Sequence, residues 1–344
     1  MVLVASQPES PRNRFTALYW IVSLGLAVGL LYYSLRGVDW RAVGTILATA
    51  RLPWVGLTIL VGTTATFVRS LRWRLLLTAE APVSPTTAFW ATNIGYFGNN
   101  YLPARAGEFM RTYMVSAGST LSKAYILTTA LAERVSDGIA LICIAAVVLL
   151  TIRNRPGWLA HASRPFAILG LLGVVCIVVL PRLEPFWRTI LGKLPLPEGL
   201  RSKLEGILGQ ILLGLRSFHD AGRLSRFILL TATIWCLDAS TTMITARALG
   251  MNVSLPVAFL LNAGLGLGSA LPATPGYVGI YQFVAISILV PFGFSRTQAL
   301  AYILFVQAIQ YVGTAAWGLF ALSYYRSLRT RVSASLAVPD RTPA

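Results

Sequence analysis

Histidine and cysteine are scarce in this chain, at two and three residues of 344. Cys143, Cys176 and Cys236 each fall inside an apolar stretch with no CxxC spacing, so neither a disulfide framework nor a zinc site is indicated. His161 and His219 stand in expected loops, which disfavours a His-based triad or a histidine metal site. Acidic residues are few as well, 12 Asp and Glu against 29 Lys and Arg. Charged residues make up only 12% of the chain, where a soluble domain carries about 25%. An ordinary soluble globule is excluded.

What the chain has is apolar. Hydrophobic residues make up 56%, the mean hydropathy is +0.67, and runs such as 139–152 identify lipid as the solvent. The net charge of +17 would suggest a nucleic-acid partner in a soluble protein. Here the charges flank apolar runs, and the aromatic residues that could stack on bases lie inside those runs, so no nucleic-acid partner is expected. A positive-inside topology signal explains them better. The polar stretch to Arg14 leads into an apolar run followed by Arg36 without a small-residue cleavage site, which reads as an uncleaved anchor.

The expected fold is an all-α, polytopic membrane helical bundle over residues 15–325. Disordered cytoplasmic segments are expected at 1–14 and 326–344, and the whole is placed in the cell membrane with both termini cytoplasmic. A span needs about 20 apolar residues, and six segments qualify: 15–35, 52–72, 124–151, 163–181, 227–249 and 299–322. Two further stretches, 86–118 and 256–291, are interrupted by LPARAG at 102–107 and LPATPG at 271–276. Proline and glycine there remove donors and open a turn, so each stretch breaks into two shorter helices. Broken backbone at membrane depth needs protein or a watery cavity around it, which reads as two re-entrant hairpins. The alternative is eight or more ordinary spans.

With six spans and two hairpins, eighteen Lys and Arg fall in cytoplasmic segments, Arg69, Arg72 and Arg74 among them, against seven outside. That bias supports the hairpins. The broken stretches also resemble each other: an offset of 169 lays Asn93, Gly95, Leu102, Pro103, Ala104 and Gly107 on Asn262, Gly264, Leu271, Pro272, Ala273 and Gly276. The repeat units run from about 52 to 151 and from 227 to 322. One crossing lies between them, so they enter the membrane in opposite senses, as in the inverted repeats of many secondary transporters. Residues 200–218 read as an amphipathic linker helix, lying on the cytoplasmic leaflet or packed against the bundle.

Charges inside apolar helices are functional candidates because they are costly there. Glu133, Arg134 and Asp137 lie in the span at 124–151, with Glu133 and Asp137 on one helical face. Arg105, Glu108 and Arg111 follow the first break at three-residue spacing. The two groups either neutralise each other as a buried network or bind a lipid phosphate through Arg105, Arg111 and Arg134. In the second reading the carboxylates hold the arginines or meet a cationic headgroup, the amides of a helix starting at Gly107 add anion affinity, and Asn93, Asn99 and Asn100 line the path. The second hairpin has no ionisable side chain from 252 to 294 except tyrosine. It offers Gln282 among Pro272, Pro275, Gly276 and Gly279, as an uncharged gate or a glycine-rich packing face. Pro103 and Gly107 mark the first tip. Asp238 is isolated in sequence and ranks as a secondary candidate, with Arg247 within reach only through tertiary packing. GLGLG at 264–268 lacks a preceding strand and is no nucleotide fingerprint. No catalytic residue, metal or cofactor is expected.

The strings NIGYFGNNYLPARAGEFMR (93–111), LAERVSDGIAL (131–141) and LPATPGYVGIYQ (271–282) resemble the flippase-like transmembrane domain of lysylphosphatidylglycerol synthase, over roughly 15–325. In bifunctional members this domain is associated with moving an aminoacylated phospholipid between leaflets, and a separate soluble domain makes that lipid. With no stretch left for the synthase domain, the resemblance implies a stand-alone membrane protein that is not an enzyme. It marks Pro103, Arg105, Gly107, Glu108 and Arg111, then Glu133, Arg134 and Asp137, then Pro272, Pro275, Gly276 and Gly279. The function it implies is translocation of a charged-headgroup lipid, such as an aminoacyl-phospholipid or a polyprenyl-linked glycan. Membrane lipids are the expected partners, with a lipid-modifying enzyme or glycosyltransferase acting upstream. Competing expectations are a membrane-embedded transferase or accessory subunit in lipid or envelope-glycan synthesis, and a transporter of a small soluble anion.

Overall fold

The computed structural model describes residues 24–102, 106–152, 157–179, 197–199, 220–271 and 275–337. Among these the fold is all-helical. The helices are α1 (Leu24–Leu35), α2 (Trp40–Ala48), α3 (Leu52–Leu77), α4 (Pro85–Tyr101), α5 (Gly107–Ala117), α6 (Lys123–Thr151), α7 (Gly157–Val179), α8 (Ala221–Ala248), α9 (Leu255–Gly268), α10 (Ile280–Leu289) and α11 (Arg296–Ala337). The candidate residues Pro103, Arg105 and Pro272, the linker 200–218 and the N-terminal 1–14 lie outside the described residues.

Helix starts follow local chemistry. Ser84 accepts from the Thr87 amide ahead of Pro85, and Ser122 accepts from the Tyr125 amide; Asp39 caps α2 and Asp220 caps α8 in the same way. Each satisfies an orphan amide of the first turn. The α2 helix falls in 36–51, a segment the sequence reading treats as an outside connection. At the other end α11 continues to Ala337, past the 325 boundary of the expected disordered tail, because neither proline nor glycine interrupts 319–337.

Among the described residues four helices, α3, α6, α8 and α11 as far as Ser327, are long and apolar enough to cross a bilayer. Their outer faces are apolar: Val312 is 71% exposed and Leu229 67%, as a helix facing lipid tails requires. The protein is a polytopic membrane bundle.

Both broken stretches take the expected form of two shorter helices folded back on each other. In the first, Gly98 and Gly95 of α4 meet Gly107 and Arg111 of α5. A Cβ on Gly107 would lie 1.9 Å from the Gly95 carbonyl oxygen, so only glycine permits this approach. In the second, Gly268 and Gly264 of α9 pack on Ile280, Val284 and Ile288 of α10. The tip before α10 holds Gly276 at φ +71 and Gly279 at φ +89. A side chain on Gly276 would also strike the Tyr311 hydroxyl.

The helix contacts come in matched pairs. The packing of α3 on α4, α4 on α5, α5 on α6 and α3 on α6 is echoed by α8 on α9, α9 on α10, α10 on α11 and α8 on α11. The two sets of helices also pack across, α4 against α11 and α9 against α6. Between them α3 and α8 run antiparallel, joined by Thr58 to Thr245, Arg69 to Asp238 and Arg72 to Thr231.

Apolar side chains form layers along this bundle. One gathers Trp73, Leu76, Leu77, Met114, Ile126 and Phe227. Further along α6 and α8, Leu141, Ala145, Trp235 and Ala263 form another, and a large cluster around α9, α10 and α11 follows. On α6 the charged stretch 133–137 falls between the first two layers.

Candidate functional site

The charges that the sequence places apart meet between these layers. Arg72 of α3 is fully buried and forks onto Asp137 of α6, Nη1 to Oδ1 at 2.6 Å and Nη2 to Oδ2 at 2.9 Å. Its Nη2 also donates to Glu133 Oε1 at 3.1 Å. The other Glu133 oxygen accepts from Arg111 Nη1 of α5 at 3.0 Å. Arg111 Nη2 lies 2.5 Å from Glu108 Oε2, and Glu108 Oε1 accepts from Arg134 Nε and Nη2 of α6 at 3.2 and 2.9 Å. The result is an unbroken chain of alternating sign: Asp137, Arg72, Glu133, Arg111, Glu108, Arg134.

Buried charges persist only when paired and hydrogen-bonded, and this chain gives each interior member two opposite neighbours. Aromatic faces complete the lining: Arg111 lies 4.6 Å from the Trp73 ring centroid and Arg72 5.1 Å from that of Phe227, both within cation–π reach. A second ion pair, Arg69 with Asp238, ties α3 to α8 beside the chain, and Arg69 lies over Trp235.

Three sequence assignments change. Arg69 and Arg72 belong to this interior and not to a cytoplasmic flank, because α3 continues to Leu77 and carries them into contact with α6 and α8. Without them the charge bias becomes sixteen to seven. Asp238 pairs with Arg69 and not with Arg247, whose guanidinium lies over the Trp54 ring. The α5 N-terminus is already answered by Glu108 in its own first turn, which takes up the dipole's affinity for an anion.

The amide candidates divide. Asn99 Nδ2 reaches Glu108 Oε1 at 3.4 Å and joins the charged chain. Asn93 is buried and donates to the Phe89 carbonyl of its own helix. Asn100 donates to Thr314 Oγ1 of α11, beside Tyr101, whose hydroxyl donates to the Tyr311 carbonyl. Gln282 belongs to a separate uncharged cluster. Its Oε1 accepts from the Gly279 amide and its Nε2 donates to Gln307 Oε1, while Gln307 Nε2 donates to the Gly276 carbonyl at 3.0 Å. Asn100, Gly276, Gln307, Gln310 and Tyr311 line a small cleft, so α11 braces both broken segments. Gln307 and Thr314 were not singled out in the sequence, where single amides and hydroxyls inside a span carry no distinctive pattern.

Among the described residues no group of His, Cys, Asp and Glu is arranged to hold a metal ion. What the arrangement can do is hold an ionic group inside an apolar bundle at low electrostatic cost. Fold and site together define a multi-pass membrane protein with a polar, charge-balanced interior beside a broken helix pair. The chain belongs to the lysylphosphatidylglycerol synthase TM region family, which matches residues 20–318. It is similar to glycosyltransferase AglD of Haloferax volcanii, 24% identical over 355 aligned positions that cover 92% of this chain and 55% of that protein. It is also similar to the UPF0104 membrane protein MJ1078 of Methanocaldococcus jannaschii, 25% identical over 229 positions, 67% of this chain and 93% of the relative. The chain therefore spans about half the length of the first of these relatives.

Proposed function

We propose that the protein is a lipid translocase of the cytoplasmic membrane: a charged headgroup passes through the polar interior while its tails stay in the bilayer. The observation that carries this reading is the alternating six-charge chain, buried between apolar layers at one end and open at Arg134 at the other. Charge at that depth is kept where an ion or headgroup must be met.

The helix lengths support re-entrant hairpins. Helices α4, α5, α9 and α10 have 17, 11, 14 and 10 residues, each short of the ~20 needed to span. The matched contacts support an inverted repeat. Arg69 and Asp238 are separated by the same 169 residues that align the broken stretches, and they face each other across antiparallel helices. Equivalent positions meet in this way on a two-fold axis perpendicular to α3 and α8, the relation of two units with opposite topology. Rocking of one unit against the other would then alternate access, with both termini cytoplasmic.

The test is headgroup-labelled lipid in proteoliposomes. The expected result is a change of leaflet accessibility with lipid mass unchanged, slowed strongly by Glu133→Gln; a wild-type rate in that variant would overturn the polar pathway. The hairpins have their own test, since single cysteines at Ser84 and Ser119 should both label from the cytoplasmic side, and opposite-side labelling would sink the re-entrant reading. A second reading, a membrane-embedded transferase or an accessory subunit to one, draws on the name of the Haloferax relative. It predicts that lipid mass changes.

A further inference from the structure

Arg134 is nearly half exposed, at 47% of its side chain, and its place on α6 makes that exposure informative. The helix runs from Lys123 to Thr151, so Arg134 is three residues, about 4.5 Å, from its midpoint. Leu131 and Val135 beside it are 53% and 48% exposed, and across the seam α5 presents Phe109 and Tyr113 at 57% and 52%. Exposed apolar and aromatic side chains of this kind are what a surface facing lipid tails requires. A guanidinium left among them against hydrocarbon is costly, and among the described residues its side-chain hydrogen bonds go to Glu108 alone.

We propose that the seam between α5 and α6 is a lateral entrance through which the phosphate of an anionic phospholipid reaches Arg134 and displaces Glu108 from it. This rests on the lipid reading above and names the headgroup class. Each carboxylate of the chain is already ion-paired: Glu133 with Arg72 and Arg111, Asp137 with Arg72 through both oxygens, and Glu108 with Arg134 and with Arg111, whose Nη2 lies 2.5 Å from the Glu108 Oε2 that accepts no hydrogen bond among the described residues. An incoming ammonium would therefore have to compete with a guanidinium for each. An incoming phosphate meets donors instead. Arg134 spends Nε and Nη2 on a single Glu108 oxygen, which leaves Nη1 without an acceptor among the described residues, and Arg111, 4% exposed, holds a buried Nε that likewise finds none there. When phosphate takes Arg134, Glu108 keeps Arg111 as its counter-ion. No charge is stranded by the exchange.

The full chain in phosphatidylcholine nanodiscs, titrated with dioleoyl phosphatidic acid or with lysyl-phosphatidylglycerol and read by native mass spectrometry of retained lipid, tests this. The expected result is about tenfold or greater preference for phosphatidic acid, lost in Arg134→Gln, partly kept in Arg134→Lys and increased in Glu108→Gln, each contact of this kind being worth about tenfold or more. Opposite signs for the two partners of one ion pair are not what a structural role gives, since either loss would then weaken binding. Equal retention of the two lipids by the wild type overturns the proposal without recourse to any variant, as does unchanged retention by a folded Arg134→Gln. Displacement of the bound phosphatidic acid by millimolar inorganic phosphate would make this a water-accessible phosphate site and overturn the lateral entrance; resistance to it supports the lipid source. Retention in the expected pattern without leaflet exchange would refute translocation alone, and leaflet exchange that favours the cationic lipid would refute this entrance alone.

Discussion

Replacing Arg72 with methionine probes the charge chain at the position where most bonds converge. Arg72 is fully buried and donates to both oxygens of Asp137 and to one of Glu133. Glu133 keeps Arg111 in the variant, but both Asp137 oxygens lose the guanidinium they are bonded to. Removing one partner of a buried ion pair costs about 3–5 kcal/mol, against the ~0.6 kcal/mol average of a neutral side-chain hydrogen bond inside a membrane protein. The larger figure applies because a charge, and not a dipole, is stranded. Taking 2–4 °C per kcal/mol, the apparent unfolding temperature should fall by roughly 6–20 °C, read from tryptophan fluorescence in detergent at one fixed scan rate, since such unfolding is rarely reversible. The double variant Arg72→Met with Asp137→Leu leaves Glu133, Arg111, Glu108 and Arg134, two charges of each sign, and should recover most of the loss. An Arg72→Met protein melting within 2 °C of wild type, or a double variant no better than the single, would refute the argument.

Exchanging the ions of the α3–α8 seam should separate pairing from identity. Arg69→Asp and Asp238→Arg each place like charges face to face and should lower the yield of folded protein in size-exclusion chromatography, while the swap of both restores it; a swap no better than either single variant would count against the pair. At the second tip, Gly276→Ala should destabilise strongly, because the new Cβ meets the Tyr311 hydroxyl and the residue must keep φ +71. Adding Tyr311→Ala clears the clash but leaves the left-handed backbone, so recovery should stop about 1–2 kcal/mol short. Full recovery in the melting assay would show that the backbone conformation is not required.

How much of this was legible in the sequence depends on whether the cause was local. The breaks at LPARAG and LPATPG were readable because proline and glycine act on their own backbone. So was α2 in principle: Asp39 precedes Val43, Ile46 and Leu47 at helical spacing, though nine residues beside a span are easily read as a connection. The roles of Arg69 and Arg72 were not legible by local rules. An arginine near the end of an apolar run looks the same whether it meets water or a carboxylate 61 or more residues away, and only packing brings Glu133, Asp137 and Asp238 to α3. One clue did exist, because the 169-residue offset that aligns the broken stretches also lays Asp238 on Arg69. A lone acid in a span needs a counter-ion, and the position 169 residues earlier supplied one.

The same offset shows how unequal the halves are. It lays Glu133, Arg134 and Asp137 on Tyr302, Ile303 and Val306, Arg111 on Ile280, and Glu108 on Tyr277, so the second unit has apolar or neutral side chains where the first has its charge chain. Tyr302 and Ile303 are buried in the apolar core. In the translocase reading this decides which parts can move. Helices α3, α5 and α6 are joined by the buried pairs of Arg72 with Asp137 and Glu133 and of Arg111 with Glu133, which are expensive to separate because a buried charge would be left uncompensated, so they travel as one block. The second tip rests on α11 through neutral contacts, Gln282 and Gly276 on Gln307, worth well under 2 kcal/mol apiece. Within such rocking, local opening is therefore cheapest at α9, α10 and their seat on α11. Gln307→Leu should accordingly raise the rate at which cysteines placed near Gly276 are labelled, while Glu133→Gln should leave that rate at the wild-type value. Equal effects of the two variants on labelling would mean that the halves move together and that the charge chain is not the rigid side.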